Sequence, residues 1–174
     1  KFVGSRQAMV YAFDRVNFAE NLMQDNAVAS SLPMHPNCAD YPTEYAATYN
    51  FNLETVKTVL ENAGIKDYDE DGWMEYMSGS AQDIEVQFIV CSDSSAKTGV
   101  VRKFQSDMES IGLKVNVREL TWEEYLLALE EGEFDMYYGE VRMSPNFDLG
   151  SFFRYGGSVA YGDMESNTTL NLCY

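Results

Sequence analysis

The chain has a single histidine, His35, no apolar run of membrane-spanning length, and only 12 bases set against 28 acids. Each shortage removes a class of function. With one imidazole, a Ser-His-Asp or Cys-His site would have to be built around a residue that sits in a proline-containing stretch. Without about 18 consecutive apolar residues, nothing in this sequence reads as a membrane-crossing helix. A formal charge of -16 repels phosphate backbones and anionic lipid alike, so nucleic acid is excluded as a natural partner.

Other absences narrow the field further. Cys38, Cys91 and Cys173 share no metal-ligand spacing, and their odd number leaves no complete disulfide framework. "GSRQA" and "YGGS" lack the lysine and the strand-to-helix setting of a phosphate loop, and no motif implies a cofactor. No basic-then-apolar leader opens the chain. It starts at Lys1 and stops at "TTLNLCY", two ends that read as cuts through a longer protein.

What is present suffices for one core. Across 174 residues, 45% are hydrophobic and 14% aromatic, which predicts a single compact unit. "SRQAMVYAFDRVNFAENLMQ" spaces Ala8, Met9, Ala12, Phe13, Val16 and Ala19 as a helix that Asp14-Arg15 interrupts. Residues 24–50 hold Pro33, Pro36 and Pro42 and no sustained period, so a long loop is expected; Pro42 argues against a regular helix through Tyr41, Tyr45 and Tyr49. Asn52 then caps "LETVKTVLENA", which stops at Gly64.

From Ile84 the period changes. "IEVQFIVCSD" alternates and then becomes wholly apolar, the signature of a buried strand. Ser92 to Ser95 can cap the helix "AKTGVVRKFQSDMESIG", "LKVNVREL" is a second strand, and Thr121 with Glu124 forms a capping box for "WEEYLLALEEG". "FDMYYG" is the third strand. The order β-α-β-α-β, with helical crossovers, predicts an α/β fold with a small parallel sheet flanked by helices. Ligands of open parallel sheets lie beyond the carboxyl ends of the strands. That rule puts Ser92 to Ser95, Leu120 to Trp122 and Gly139 to Met143 on one rim.

A separate acidic motif, "DYDEDG" at Asp67 to Gly72, matches the opening of a calcium loop, but Ser78 stands where the bidentate glutamate would be. It reads first as a Gly-ended turn before a short strand "WMEYM", and second as a weak calcium site at Asp67, Asp69 and Asp71.

Taken together, "RQAMVYAFDR", "NLETVKTVLENAGIKDYDEDG" and "MESIGLKVNVRELTWEEYLLALEEGEFDMYYGE" resemble the C-terminal lobe of the family 5 extracellular solute-binding proteins, the peptide- and nickel-type receptors of ABC importers. The resemblance runs over roughly residues 5–160 and lies in the order and spacing of these segments. It implies a periplasmic-binding-protein type II-like lobe, residues 1–174, cut from a two-lobed receptor whose N-terminal lobe supplies the other cleft wall. It also implies a small-molecule or peptide ligand, ABC permease subunits as partners, no catalysis, and an extracytoplasmic address, periplasmic or as a lipoprotein.

In peptide-binding members, an Asp four positions past the Gly of the Phe-Asp strand holds the peptide amine. Here Met143 occupies that position, after Glu140, Val141 and Arg142. Glu140 can supply a negative group, or be held in a structural salt bridge, and Arg142 favours a carboxylate. Tyr138 and Phe147 suit stacking on peptide side chains or on sugars. With Asp93 and Ser94 from the first rim turn, these residues make up the expected binding site. Two other readings stay open: an acidic module that binds a protein partner, and a hydrolase built on His35 or a carboxylate pair.

Overall fold

The computed structural model describes residues 3–24, 26–140 and 150, and the backbone of 161–163 and 168–170. Helix α1 (Val3–Tyr11) breaks where Asp14-Arg15 interrupts the pattern, then resumes as one turn, α2 (Arg15–Asn17), running into a π-turn at Phe18–Leu22. Asp14 makes the restart by accepting from the Asn17 amide at 3.1 Å. Residues 26–42 are irregular, as expected, but one helical turn, α3 (Thr43–Ala46), and a 3-10 turn (Ala47–Tyr49) follow. Pro42 does not prevent this, because it stands at the cap, where no intrahelical N–H is required.

Helix α4 (Leu53–Asn62) starts where the Asn52 side chain accepts from the Thr55 amide at 2.9 Å, and it buries Val56 and Leu60. After it come strands β1 (Ile65–Lys66), β2 (Glu75–Ser78), β3 (Ser80–Asp83) and β4 (Glu85–Cys91). The crossover part continues as α5 (Ser95–Glu109), β5 (Lys114–Leu120), α6 (Trp122–Glu131) and β6 (Met136–Tyr137), and β7 (Tyr161–Asp163) pairs antiparallel with β8 (Thr168–Leu170).

The expected parallel sheet is present in the order β5-β4-β6, with Glu85 to Cys91 paired in register to Lys114 to Leu120. β4 is central, and its last four residues, Phe88 to Cys91, are all buried. Phe88 and Val90 face a core shared with α1, α4 and α5, while Ile89 and Cys91 face Tyr125 and Ala128 of α6. A strand covered on both faces needs an unbroken apolar run, and the sequence "FIVC" supplies it. Phe13, from the break after α1, stacks on Phe104 at 4.5 Å between ring centroids, and Phe104 meets Phe88 edge-on at 5.3 Å.

A second sheet, β1-β2-β3, is antiparallel and was not expected beyond its middle strand. That strand starts at Glu75, two residues later than "WMEYM" implies. It joins the parallel part by a close approach: the Met74 amide donates to the Gly112 carbonyl at 2.8 Å. Gly112 has φ +90°, and a Cβ there would lie 2.7 Å from the Gly72 carbonyl oxygen, so both conformation and space require glycine.

Candidate functional site

The carboxyl ends of β4, β5 and β6 bring three loops together. Ser92 ties the first two, its amide and hydroxyl both donating to the Leu120 carbonyl, at 2.8 and 3.0 Å. Asp93 follows in the same turn. Ser94 stands at the N-cap of α5, but its hydroxyl makes no capping bond, a correction to the expectation that this serine run caps the helix with its side chains.

Lys97, in the first turn of α5, lies between two carboxylates. Its Nζ is 3.1 Å from Asp93 Oδ2 and 3.1 Å from Glu140 Oε2. The lysine side chain is 20% exposed, against 51% for Asp93 and 55% for Glu140, so the cation is tucked behind two outward carboxylates. Hydrogen bonds to Glu140 and then to Asp93 raise the Lys97 pKa, which keeps it charged. Glu140 therefore makes the lobe-internal salt bridge that was one of its two expected roles.

The aromatic half of the rim is built from α6. Thr121 Oγ1 and the Glu124 carboxylate complete the capping box, which fixes the backbone where the helix starts at Trp122. Trp122 packs on Tyr125 with ring centroids 6.0 Å apart and remains 59% exposed. Tyr125 is buried and donates its hydroxyl to the Tyr138 carbonyl at 2.8 Å. Burial first, and the charge of Glu140 second, raise the Tyr138 pKa and keep its hydroxyl protonated. A Cβ at the neighbouring Gly139 would meet the ring of Tyr137 at 2.5 Å, so a larger residue there would need that ring to shift.

Of the expected residues, Asp93, Ser94, Tyr138 and Glu140 thus gather on one rim; Val141, Arg142, Met143 and Phe147 lie outside the described residues. Sequence reasoning missed Lys97. Its position four after Asp93 was a readable helical pairing, but nothing linear connects it to Glu140.

Two other places compete as sites. Asp67, Asp69, Asp71 and Glu75 each bring a carboxylate oxygen within 4.8 Å of the others. Glu75, from β2 and only 2% exposed, enters where the calcium-loop template had pointed to Ser78. The loop is already closed by its own amides. Asp67 accepts from Glu70 and Gly72 at 2.7 and 2.9 Å, Asp71 from Trp73 at 2.8 Å, and Glu75 from Tyr68 at 2.8 Å. These bonds support the turn reading. A cavity of about 240 Å³ beside the 26–51 segment is lined by Arg15, Ser30, Tyr41 and Tyr49. Arg15 spends its donors there on the carbonyls of Val10, Phe13 and Tyr49, which makes it a clamp on the loop. His35 is exposed, its Nδ1 accepting from the Asn37 amide at 3.1 Å.

Comparison with known proteins gives the family and the fold. The model of the bacterial extracellular solute-binding proteins, family 5 Middle, matches residues 3–163. The periplasmic alpha-galactoside-binding protein of Rhizobium meliloti (strain 1021) is 28% identical over 133 residues, 75% of this chain and 19% of that protein. The fold is shared with the oligopeptide-binding protein AppA of Bacillus subtilis, solved with a nonapeptide: TM-score 0.74 at 18% identity, covering 88% of this chain and 31% of AppA. It is shared also with the periplasmic binding protein MelB of Agrobacterium fabrum in complex with stachyose, at TM-score 0.60 and 24% identity, covering 76% of this chain and 20% of MelB. The chain spans about a fifth of the curated relative and about a third of AppA. With nearly its whole length matched, the chain belongs to family 5 of the bacterial extracellular solute-binding proteins.

Proposed function

We propose that this chain is one ligand-binding lobe of a two-lobed, extracytoplasmic receptor that delivers a peptide or related small polar solute to an ABC importer. Binding comes from cleft contacts and closure of a second lobe over the rim, without catalysis. The carrying observation is the convergence of Ser92 to Ser95, Thr121 to Trp122 and Tyr138 to Glu140 at the carboxyl edge of one parallel sheet, in a chain of this family. That the Rhizobium relative is an alpha-galactoside-binding protein, and that AppA was solved with a nonapeptide, supports a small polar solute as the ligand.

The test is made on the intact receptor. Mass spectrometry of material released on denaturation should find a bound small solute, and small-angle scattering should show compaction when that solute is restored. Removing residues 139–143 should abolish both. A receptor that carries no solute and never compacts would overturn the reading.

A further inference from the structure

The third strand of the parallel sheet is too short to aim the chain that leaves it. β4 and β5 pair from Glu85 to Cys91, whereas β6 is two residues long and pairs only at Met136 and Tyr137. The backbone adds one bond on either side: the Asp135 amide donates to the Gln87 carbonyl at 2.9 Å, and the Tyr138 amide to the Ile89 carbonyl at 3.0 Å. Among the described residues, no backbone hydrogen bond holds Gly139 or Glu140.

Two helices supply what the strand lacks, and they do so from opposite faces. α6 packs on the face of Ile89 and Cys91, and its buried Tyr125 donates a hydroxyl bond to the Tyr138 carbonyl at 2.8 Å. α5 packs on the face of Phe88 and Val90, and its Lys97 reaches Glu140 at 3.1 Å. Positions 138 and 140 are thus tied to different sides of the sheet.

The lysine is itself held. Asp93, one turn earlier, lies 3.1 Å from the same Nζ, and the lysine side chain is only 20% exposed. An ammonium that a first carboxylate has already oriented loses less side-chain freedom when it takes a second. An ordinary surface pair four residues apart would serve its own helix alone. Here the cation also reaches a residue that follows another strand.

We propose that Lys97 is a positioning residue of the receptor: oriented by Asp93, it fixes Glu140 and so sets where the chain leaves the sheet at the binding rim. This rests on the receptor reading above and deepens it, by assigning how the rim is held before a solute arrives.

Amide hydrogen exchange, read by mass spectrometry on the intact receptor without added solute, tests the tie. In Lys97→Met the Tyr138 amide should exchange about threefold to fivefold faster than in the native chain, and Lys97→Arg should restore the native rate. Adding Glu140→Gln to Lys97→Met should change the rate no further, because the lysine acts through that carboxylate. Circular dichroism confirms that each variant is folded. Affinity is then measured by calorimetry with penta-alanine, with stachyose and with the solute recovered from the native receptor. Whichever of these binds the native receptor should bind Lys97→Met about threefold to fivefold more weakly, and Lys97→Arg as the native chain does.

A Tyr138 amide that exchanges at the native rate in Lys97→Met would overturn the proposal, the lysine then serving α5 through Asp93 alone. Faster exchange with unchanged affinity would overturn its part in binding and leave the receptor reading standing. If the native receptor carries no solute and binds neither probe, the receptor reading fails, and the binding role of Lys97 fails with it.

Discussion

The two ends of β5 solve the same electrostatic problem in opposite ways. Near its start, beyond Gly112, Asp67, Asp69, Asp71 and Glu75 crowd together, and the backbone amides of their own turn hold them. At its finish, about 20 Å away along a seven-residue strand, Asp93 and Glu140 are held by the side chain of Lys97. Amides that belong to a turn are committed by the fold. A lysine tip can change partners when a ligand arrives. The first arrangement makes a fixed corner and the second an exchangeable surface.

The largest effect is expected from the core packed beneath β4. Phe104→Ala deletes the ring that joins Phe13 and Phe88 beneath β4 and should cost about 3–5 kcal/mol, read from urea unfolding. Met77→Ser on exposed β2 should stay within about 0.5 kcal/mol. Equal losses would mean that the antiparallel sheet is as integral as the parallel one.

Alkaline unfolding comes next, and it should report the rim. The folded-state pKa values of Lys97, Tyr125 and Tyr138 are all raised above the ordinary 10.5 and 10.0. Their stabilisation is therefore complete below about pH 10 and is lost as pH rises through the folded values. A melting temperature falling more steeply above pH 10 in the native chain than in Lys97→Met would show the lysine's share.

A smaller effect separates the ends by sign. Glu75→Gln keeps an oxygen to accept from the Tyr68 amide and removes one of four neighbouring negative charges, so melting should rise by roughly 2–4 °C. At the rim, Glu140→Gln removes an attraction instead, and no rise is expected. The least effect is expected from calcium. With the loop already closed by amides, melting in millimolar calcium should match melting in chelator to within about 1 °C. A calcium-dependent rise would give the four carboxylates a cation and make the two ends alike.

Legibility in the sequence followed the distance between partners. Thr121 and Glu124 lie one turn apart, and Asn52 and Thr55 likewise, so both caps could be read directly and both are made. The strand β4 was readable because burial on two faces leaves an unbroken apolar run. The antiparallel sheet was not, since Ser80 to Asp83 are all exposed and show no alternation. Glu75 was overlooked because a linear template counts to Ser78, whereas β2 folds back and carries Glu75 into the acidic corner. The Lys97 to Glu140 pair joins two loops that meet only through the order β5-β4-β6. The rim's location was therefore legible, and its charge pattern was not.

That strand order also fixes a sequence of events during synthesis. β4 is made first of the three parallel strands, yet it occupies the middle and needs partners on both sides. Until α5 and β5 have emerged, Phe88 to Cys91 present two bare hydrogen-bonding edges on a wholly apolar segment, which is the composition of an aggregation-prone stretch. One edge closes with β5, and the other waits for Met136 and Tyr137. A nascent chain paused between Leu120 and Met136 would hold β4 with one edge unpaired, and a chaperone that shields extended apolar segments would be needed most in that interval.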